Sequence, residues 1–256
     1  MIRLKSKQDI AILREGGHRH AAILRELADM VKPGVTTAEL NDKAEELIGK
    51  GGDKSAFLNY KPTGAPRPYP ASLCVSINDE VVHGIPNENV KVLKEGDIVT
   101  LDLGLTHKGL VTDAAVTVPV GSISPELKKL LETTKNALMA GIRAAKGGKH
   151  VGDISSAIER VGVAGKVGIV EELSGHGVGY HVHEDPYVPN YGDAGMGDSL
   201  SPGLVIAIEP IFNLGSREVK FDKRDGYLFR TTDGKPSAHF EHTVLITKGD
   251  AEILTA

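Results

Sequence analysis

A single cysteine, Cys74, stands in a chain of 256 residues. An internal disulfide is therefore excluded, and this usage suits a reducing, cytoplasmic compartment. Long apolar runs are missing too. No stretch approaches the roughly 20 residues of a membrane-spanning helix, so no membrane association is expected. The opening stretch, Met1-Ile2-Arg3-Leu4-Lys5-Ser6-Lys7-Gln8-Asp9, has no apolar core of the kind that marks a secretory leader. Excess charge of one sign is also lacking. The 30 basic and 34 acidic residues are well mixed and leave a net charge of −4, which excludes a nucleic-acid-binding stripe and a polybasic anchor. Low-complexity segments are absent.

What is present is a repeated pattern of hard metal ligands. His83, Asp102 and Asp113 are followed at similar intervals by His183, Glu209 and Glu241, each in matching local text. His83-Gly84-Ile85-Pro86 aligns with His183-Glu184-Asp185-Pro186. The run from Gly96 to Asp102 aligns with the run from Gly203 to Glu209, and Asp113-Ala114-Ala115-Val116 with Glu241-His242-Thr243-Val244. His176, in Ser174-Gly175-His176-Gly177-Val178-Gly179, has no counterpart in the first half. The pattern predicts a single catalytic domain of two related halves, about 1–122 and 123–256.

The local signals agree with that division. Ser6 caps a helix whose apolar stripe includes Ile10, Leu13, Leu24 and Val31 and which stops at Pro33-Gly34. Thr36-Thr37-Ala38-Glu39 is a capping box opening a second helix, ended by Gly49, Gly51 and Gly52. The plan restarts at Ser124-Pro125-Glu126 with a long helix reaching Gly147-Gly148. A shorter helix follows with Ile154, Ile158 and Val161. Each half then continues into strands, which predicts an α+β fold with helices on one side of a curved, largely antiparallel sheet.

Val99-Thr100-Leu101-Asp102-Leu103 and Val205-Ile206-Ala207-Ile208-Glu209 read as apolar strands of a sheet covered on both faces. An ionised carboxylate there is costly unless paired, hydrogen-bonded or bound to metal. Taken singly, such an acid can simply end a strand or meet an arginine. Four in equivalent places, with His176, point instead to a two-metal hydrolytic site. Carboxylates with one imidazole suit Mn, Fe, Co or Zn. A bridged pair of such ions brings the pKa of bound water from about 15.7 towards ~7 and polarises a carbonyl. His83 and His183 are then free to handle protons or stabilise a tetrahedral intermediate. The glycines from Gly175 to Gly179 lack the lysine of a phosphate-binding loop and are expected to let backbone pass close to metal and substrate.

Almost end to end, the chain resembles the type I methionine aminopeptidases of the pita-bread fold. The resemblance rests on the run from Lys32 to Thr37, on the distinctive Asn78-Asp79-Glu80-Val81-Val82-His83-Gly84-Ile85-Pro86, on Ser174 to Gly179 with His183-Glu184, on Ile208-Glu209-Pro210 and on Phe240-Glu241-His242-Thr243. It implies that Asp102 and Asp113 bind one divalent ion, that His176 and Glu209 bind the other, and that Asp113 and Glu241 bridge. Glu209 would also shuttle the proton of the attacking water. His183 would contact the scissile amide or its oxyanion, and His83 the substrate amine and first carbonyl. The implied substrates are N-terminal methionyl peptides and nascent chains, met at the ribosome by a cytoplasmic monomer.

Some positions depart from that family. Leu103-Gly104 stands where valine-threonine is usual, removing a hydroxyl behind the metal. In the expected side-chain pocket Tyr69 and Cys74 match, whereas Val182 replaces an aromatic, Tyr227 a tryptophan and Pro66 a tyrosine, so a less aromatic pocket is expected. Gly-His-Gly-Val-Gly also occurs in Xaa-Pro aminopeptidases and prolidases. Those relatives usually carry a further amino-terminal domain and Arg-x-Glu-Asp around the last ligand, whereas here the first helix opens near residue 6 and the sequence reads Phe240-Glu241-His242-Thr243. A catalytically inactive peptide-binding relative typically loses ligands, and all of them stand here.

Overall fold

The computed structural model describes residues 1–256. Helices α1 (Lys7–Met30), α2 (Thr37–Lys50), α3 (Pro125–Ala144) and α4 (Val151–Gly165) begin where the caps require. The Ser6 hydroxyl accepts from Asp9 N at 3.2 Å while Asp9 accepts from Ser6 N at 2.9 Å. Thr36 and Glu39 repeat that exchange at 3.2 and 2.8 Å. Caps of this kind contribute about 0.5–2 kcal/mol each. The long helix α3 stops short of Gly147-Gly148, because Ala145 already leaves helical backbone at ψ 78.

The α+β architecture expected from the sequence is the one observed. The strands Lys54–Ser55, Leu73–Ile77, Ile98–His107, Leu110–Pro119, Ser174–Gly177, Glu184–Pro189, Val205–Ile208, Glu241–Leu245 and Glu252–Ile253 form a nine-stranded sheet. Every pairing in it is antiparallel. Side chains alternate across such a sheet, and here the alternation assigns each face its work. Val99, Leu101, Leu103 and Leu105 enter one core with Leu24, Leu27 and Leu40 from α1 and α2. Ile206 and Ile208 enter a second with Leu138, Ile154 and Ile158 from α3 and α4.

Register ties the two regions into one surface. Leu103 pairs with Ala114, Ala114 with His242 and His242 with Ile208, a row on the helix-covered face. The neighbouring row runs Asp102, Ala115, Glu241 on the opposite face. Because Ile208 pairs with His242 in antiparallel sense, Glu209 comes beside Glu241. The helices cover one side, and the acids face the other. Similar isolated bridges tie each helix pair to the loop that leads into a sheet strand: the cap residue Thr36 bridges Val92, and the cap residue His150 bridges Ser199.

Candidate metal centre

Adjacent strands supply the acids. Asp102 lies on Ile98–His107 and Asp113 on Leu110–Pro119, where Asp113 pairs with Gly104. Glu241 opens its strand two places across from Asp102, with Ala115 between them. All three acids are buried. Ligand atoms of Asp113, His176 and Glu241 lie within 4.8 Å of one another. His176 Nε2 stands 3.4 Å from Glu209 Oε1. The other ring nitrogen, His176 Nδ1, lies 2.9 Å from Gly177 O. A carbonyl can only accept, so Nδ1 carries the proton and Nε2 presents a lone pair.

Electrostatics alone would not tolerate this cluster as four bare charges. Burial pushes Asp102 up to about 7. Burial, then repulsion from the neighbouring acids, drives Asp113, Glu209 and Glu241 well above the carboxylate range. Burial also lowers His176 to about 3 and His83 to about 4, each with a further contribution from His183. Asp102 Oδ1, Asp113 Oδ1 and Glu241 Oε1 are buried without a hydrogen-bond partner. Buried polar atoms are rarely left so, and oxygen donors of this number with one imidazole suit a divalent ion such as Mn, Fe, Co or Zn. The residues fit a metal.

A cavity of about 500 Å³ opens above the acids. His83, His183, Tyr69, Cys74, Val182, Tyr227 and Pro66 all line it, together with Asp102, Asp113, His176, Glu209 and Glu241. His183 stacks edge-on to His176 at 4.5 Å between ring centroids, and its Nδ1 lies 2.8 Å from the Tyr60 hydroxyl. His83 sits at φ 62, a left-handed backbone that non-glycine residues adopt rarely and mostly where surroundings enforce it. Its loop is fixed by Tyr69, whose hydroxyl donates to Gly84 O at 2.9 Å. The loop before His183 is held by Glu184, which accepts from His181 N at 2.9 Å and from buried Lys5 Nζ at 2.7 Å.

Val182, Tyr227 and Pro66 stand in the lining as non-aromatic or smaller residues, and the cavity as a whole adds rings: of the chain's six tyrosines and five phenylalanines, Phe57, Tyr60, Tyr69, Tyr187, Phe221, Tyr227 and Phe229 line it. Phe57 meets Tyr69 edge-on at 6.5 Å, and Tyr69 meets Tyr227 at 5.1 Å. These rings come from loops and short strands with no periodicity to announce them. Gly104 is explained by the same packing, since a Cβ there would stand 2.5 Å from Phe57 Cε1. At Gly177 the close approach is to neighbouring backbone. A Cβ on it would overlap the Asp185 carbonyl of the adjacent strand.

His239 was missed altogether. It is 2% exposed, and its Nε2 lies 3.6 Å from Glu209 Oε2 and 3.7 Å from Glu241 Oε2. Its place two residues before Glu241 was the available clue, although it closes Ser237–His239, a strand of a separate three-stranded sheet. Asp79 and Glu80, inside the distinctive Asn78–Pro86 string, face away from the acids and pair with Arg230 at 2.8 and 2.6 Å.

Comparison with known proteins bears on this arrangement directly. A family model described as metallopeptidase family M24 matches residues 11–248. A methionine aminopeptidase of Aquifex aeolicus is 46% identical over 256 residues, covering 99% of this chain and 98% of that relative. Methionine aminopeptidase 1 of Bacillus subtilis is 44% identical over 255 residues, with 100% and 99% covered. Among solved structures, the methionine aminopeptidase of Rickettsia prowazekii superposes with a TM-score of 0.95 at 37% identity, covering 100% of both chains. The prolidase of Pyrococcus furiosus reaches 0.75 at 23% identity over 99% of this chain and 65% of that one, a likeness of fold alone. The pita-bread architecture expected from the resemblance is therefore the one present. Buried acids that need a cation, and relatives that match along the whole length, lead to one assignment: the chain belongs to metallopeptidase family M24.

Proposed function

We propose that this chain is a methionine aminopeptidase that removes N-terminal methionine when the second residue is small. The observation that carries the reading is the convergence of Asp102, Asp113, Glu209, Glu241 and His176 at the floor of one ring-lined cavity. Asp102, Asp113, His176, Glu209 and Glu241 would hold two divalent ions there, drawn from Co, Mn, Fe or Zn. Bound in this way, the ions supply Lewis acidity and a nucleophile available at neutral pH.

The chain's own residues do the rest. Glu209 takes a proton from the attacking water and returns it to the leaving amine. The Tyr60 hydroxyl donates to His183 Nδ1, leaving the Nε2 proton for the oxyanion that develops on the scissile carbonyl. His83 also lines the cavity and orients the substrate amine and first carbonyl. Tyr69, Cys74, Val182 and Tyr227 receive the methionine side chain. Sulfur–aromatic contacts there contribute about 0.3–1.5 kcal/mol each.

The substrates are free methionyl peptides and nascent chains at the ribosome, and the protein acts in the cytoplasm as a monomer. No helix is long and apolar enough to cross a membrane. Residues 1–256 act as one catalytic domain whose halves divide near position 122, a reading supported by the matched bridges at Thr36 and His150. Turnover of Met-Ala-Ser, Met-Lys, Leu-Ala and Ala-Pro peptides with each metal tests the assignment. Cleavage of Met-Ala-Ser is expected. Failure on it with cleavage of Xaa-Pro peptides overturns the reading in favour of a prolidase-like enzyme.

A further inference from the structure

Four histidines line the cavity with the acids, and three have been given work. His239 is the fourth. Both of its ring nitrogens are buried without a hydrogen-bond partner, whereas a histidine that merely fills a core normally has its nitrogens satisfied. Its backbone is fixed. The Thr117 hydroxyl accepts from His239 N and donates to His239 O, each at 2.8 Å. That hydroxyl has a single proton, so Thr100, also 2.8 Å away, must donate to it. The ring is thus held against the sheet with Nε2 nearly equidistant from two carboxylates, at 3.6 Å from Glu209 Oε2 and 3.7 Å from Glu241 Oε2.

The two histidines flank Glu209 on different oxygens, His176 at Oε1 and His239 at Oε2. Their chemistry differs. His176 Nδ1 is held as a donor by Gly177 O, which leaves Nε2 bare for a cation. Nothing accepts a proton from His239 Nδ1, so nothing fixes the tautomer in which Nε2 would be bare. The nearest acceptors to this ring lie on the Nε2 side, and they are carboxylates. We propose that His239 is a positioning residue of the metal centre, its Nε2–H shared between Glu209 Oε2 and Glu241 Oε2 so that both carboxylates are held for the cation. The separations are longer than a formed hydrogen bond, and a small turn of either glutamate closes them. The inference rests on the reading of this cluster as a divalent-metal site.

The test is a calorimetric titration of metal-free protein with Co²⁺, paired with the visible absorption of the bound Co²⁺. His239→Ala should weaken binding about 10–100-fold, the range typical of losing a hydrogen-bond partner of a metal ligand. His239→Gln, whose amide still donates, should recover most of that affinity, and all forms should share one absorption spectrum. Wild-type affinity in His239→Ala overturns the proposal. So does a spectrum that changes with both substitutions while Gln binds as weakly as Ala, because the imidazole would then be a ligand itself. If His239→Ala does not fold, His239→Leu removes the donor without opening a cavity and is read in the same way. No peptide enters the titration, so a protein that binds Co²⁺ as expected yet leaves methionyl peptides intact would count against the proposed activity and not against this role.

Discussion

The Tyr60 hydroxyl lies 2.8 Å from His183 Nδ1, so a loop residue decides how an imidazole on a different loop presents its other nitrogen. Burial holds His183 below its ordinary pKa and raises Tyr60, which keeps the ring neutral and the phenol protonated at neutral pH. His183→Ala should lower kcat on Met-Ala-Ser roughly 10²–10³-fold, as for loss of one oxyanion donor. Tyr60→Phe removes only the partner that orients the ring and should cost about tenfold, the equivalent of ~1.4 kcal/mol for one hydrogen bond. Steady-state kinetics check both. A Tyr60→Phe enzyme as impaired as His183→Ala would mean that the tyrosine touches substrate itself.

Glu209 carries two duties in the proposed chemistry, ligand and proton carrier. Glu209→Gln keeps the shape and removes the charge, so kcat should nearly vanish while the fold persists. Circular dichroism and peptide turnover at saturating metal give the two readings. Near-wild-type turnover would contradict the role.

Gly104 is the position where a threonine was expected and a ring was found. A side chain there meets Phe57, so Gly104→Thr should destabilise the protein by about 1–3 kcal/mol, the usual cost of overpacking. Phe57→Ala should relieve part of that cost, making the double variant less unstable than the sum of the singles. Denaturant unfolding measures all three. Additive effects would show that the ring is not the obstacle.

Removing metal should matter more as pH rises. An acid whose folded pKa is raised holds an extra proton when folded, and its contribution to stability falls as pH climbs from the unfolded value through the folded one. For Asp102 that window runs from 3.8 to about 7, and Asp113, Glu209 and Glu241 shift in the same direction. Bound cations compete with those protons and offset the repulsion. The gap in Tm between metal-loaded and chelated protein should widen between pH 4 and pH 7, scanned calorimetrically. A gap that narrows contradicts the assignment.

Val182 is buried in the cluster that contains Phe57, Tyr69, Cys74 and Tyr227, and it lines the cavity. A pocket of this kind separates side chains of similar size by only ~1–3 kcal/mol. Val182→Phe adds a ring for the methionine sulfur, and at about 0.3–1.5 kcal/mol per contact the preference for methionine over leucine should widen about 2- to 12-fold. The ratio of kcat/KM for Met-Ala-Ser and Leu-Ala-Ser reports it. An unchanged ratio would place the methionine side chain elsewhere.

Much of this was legible in the residues themselves, for reasons of range. Helix caps act over three residues, so Ser6, Thr36 and Ser124 announced their helices. Strand alternation acts over two, so Asp102 between Leu101 and Leu103 was bound to face away from the helices. Repetition of the ligand pattern in matching text indicated that distant acids belong to one site. Tertiary structure decided what depends on neighbours far apart in the chain. Tyr60 meets His183, Lys5 meets Glu184, and Phe57 fills the space over Gly104 through packing that no local period encodes. His239 stands two residues before Glu241 in the chain, but only the pairing of its strand, Ser237–His239, with Ile211–Asn213 of a second sheet sets it between two carboxylates. Ligand chemistry is a property of residue type and spacing, whereas the groups that orient ligands are chosen by contact, and contact exists only once the chain has folded.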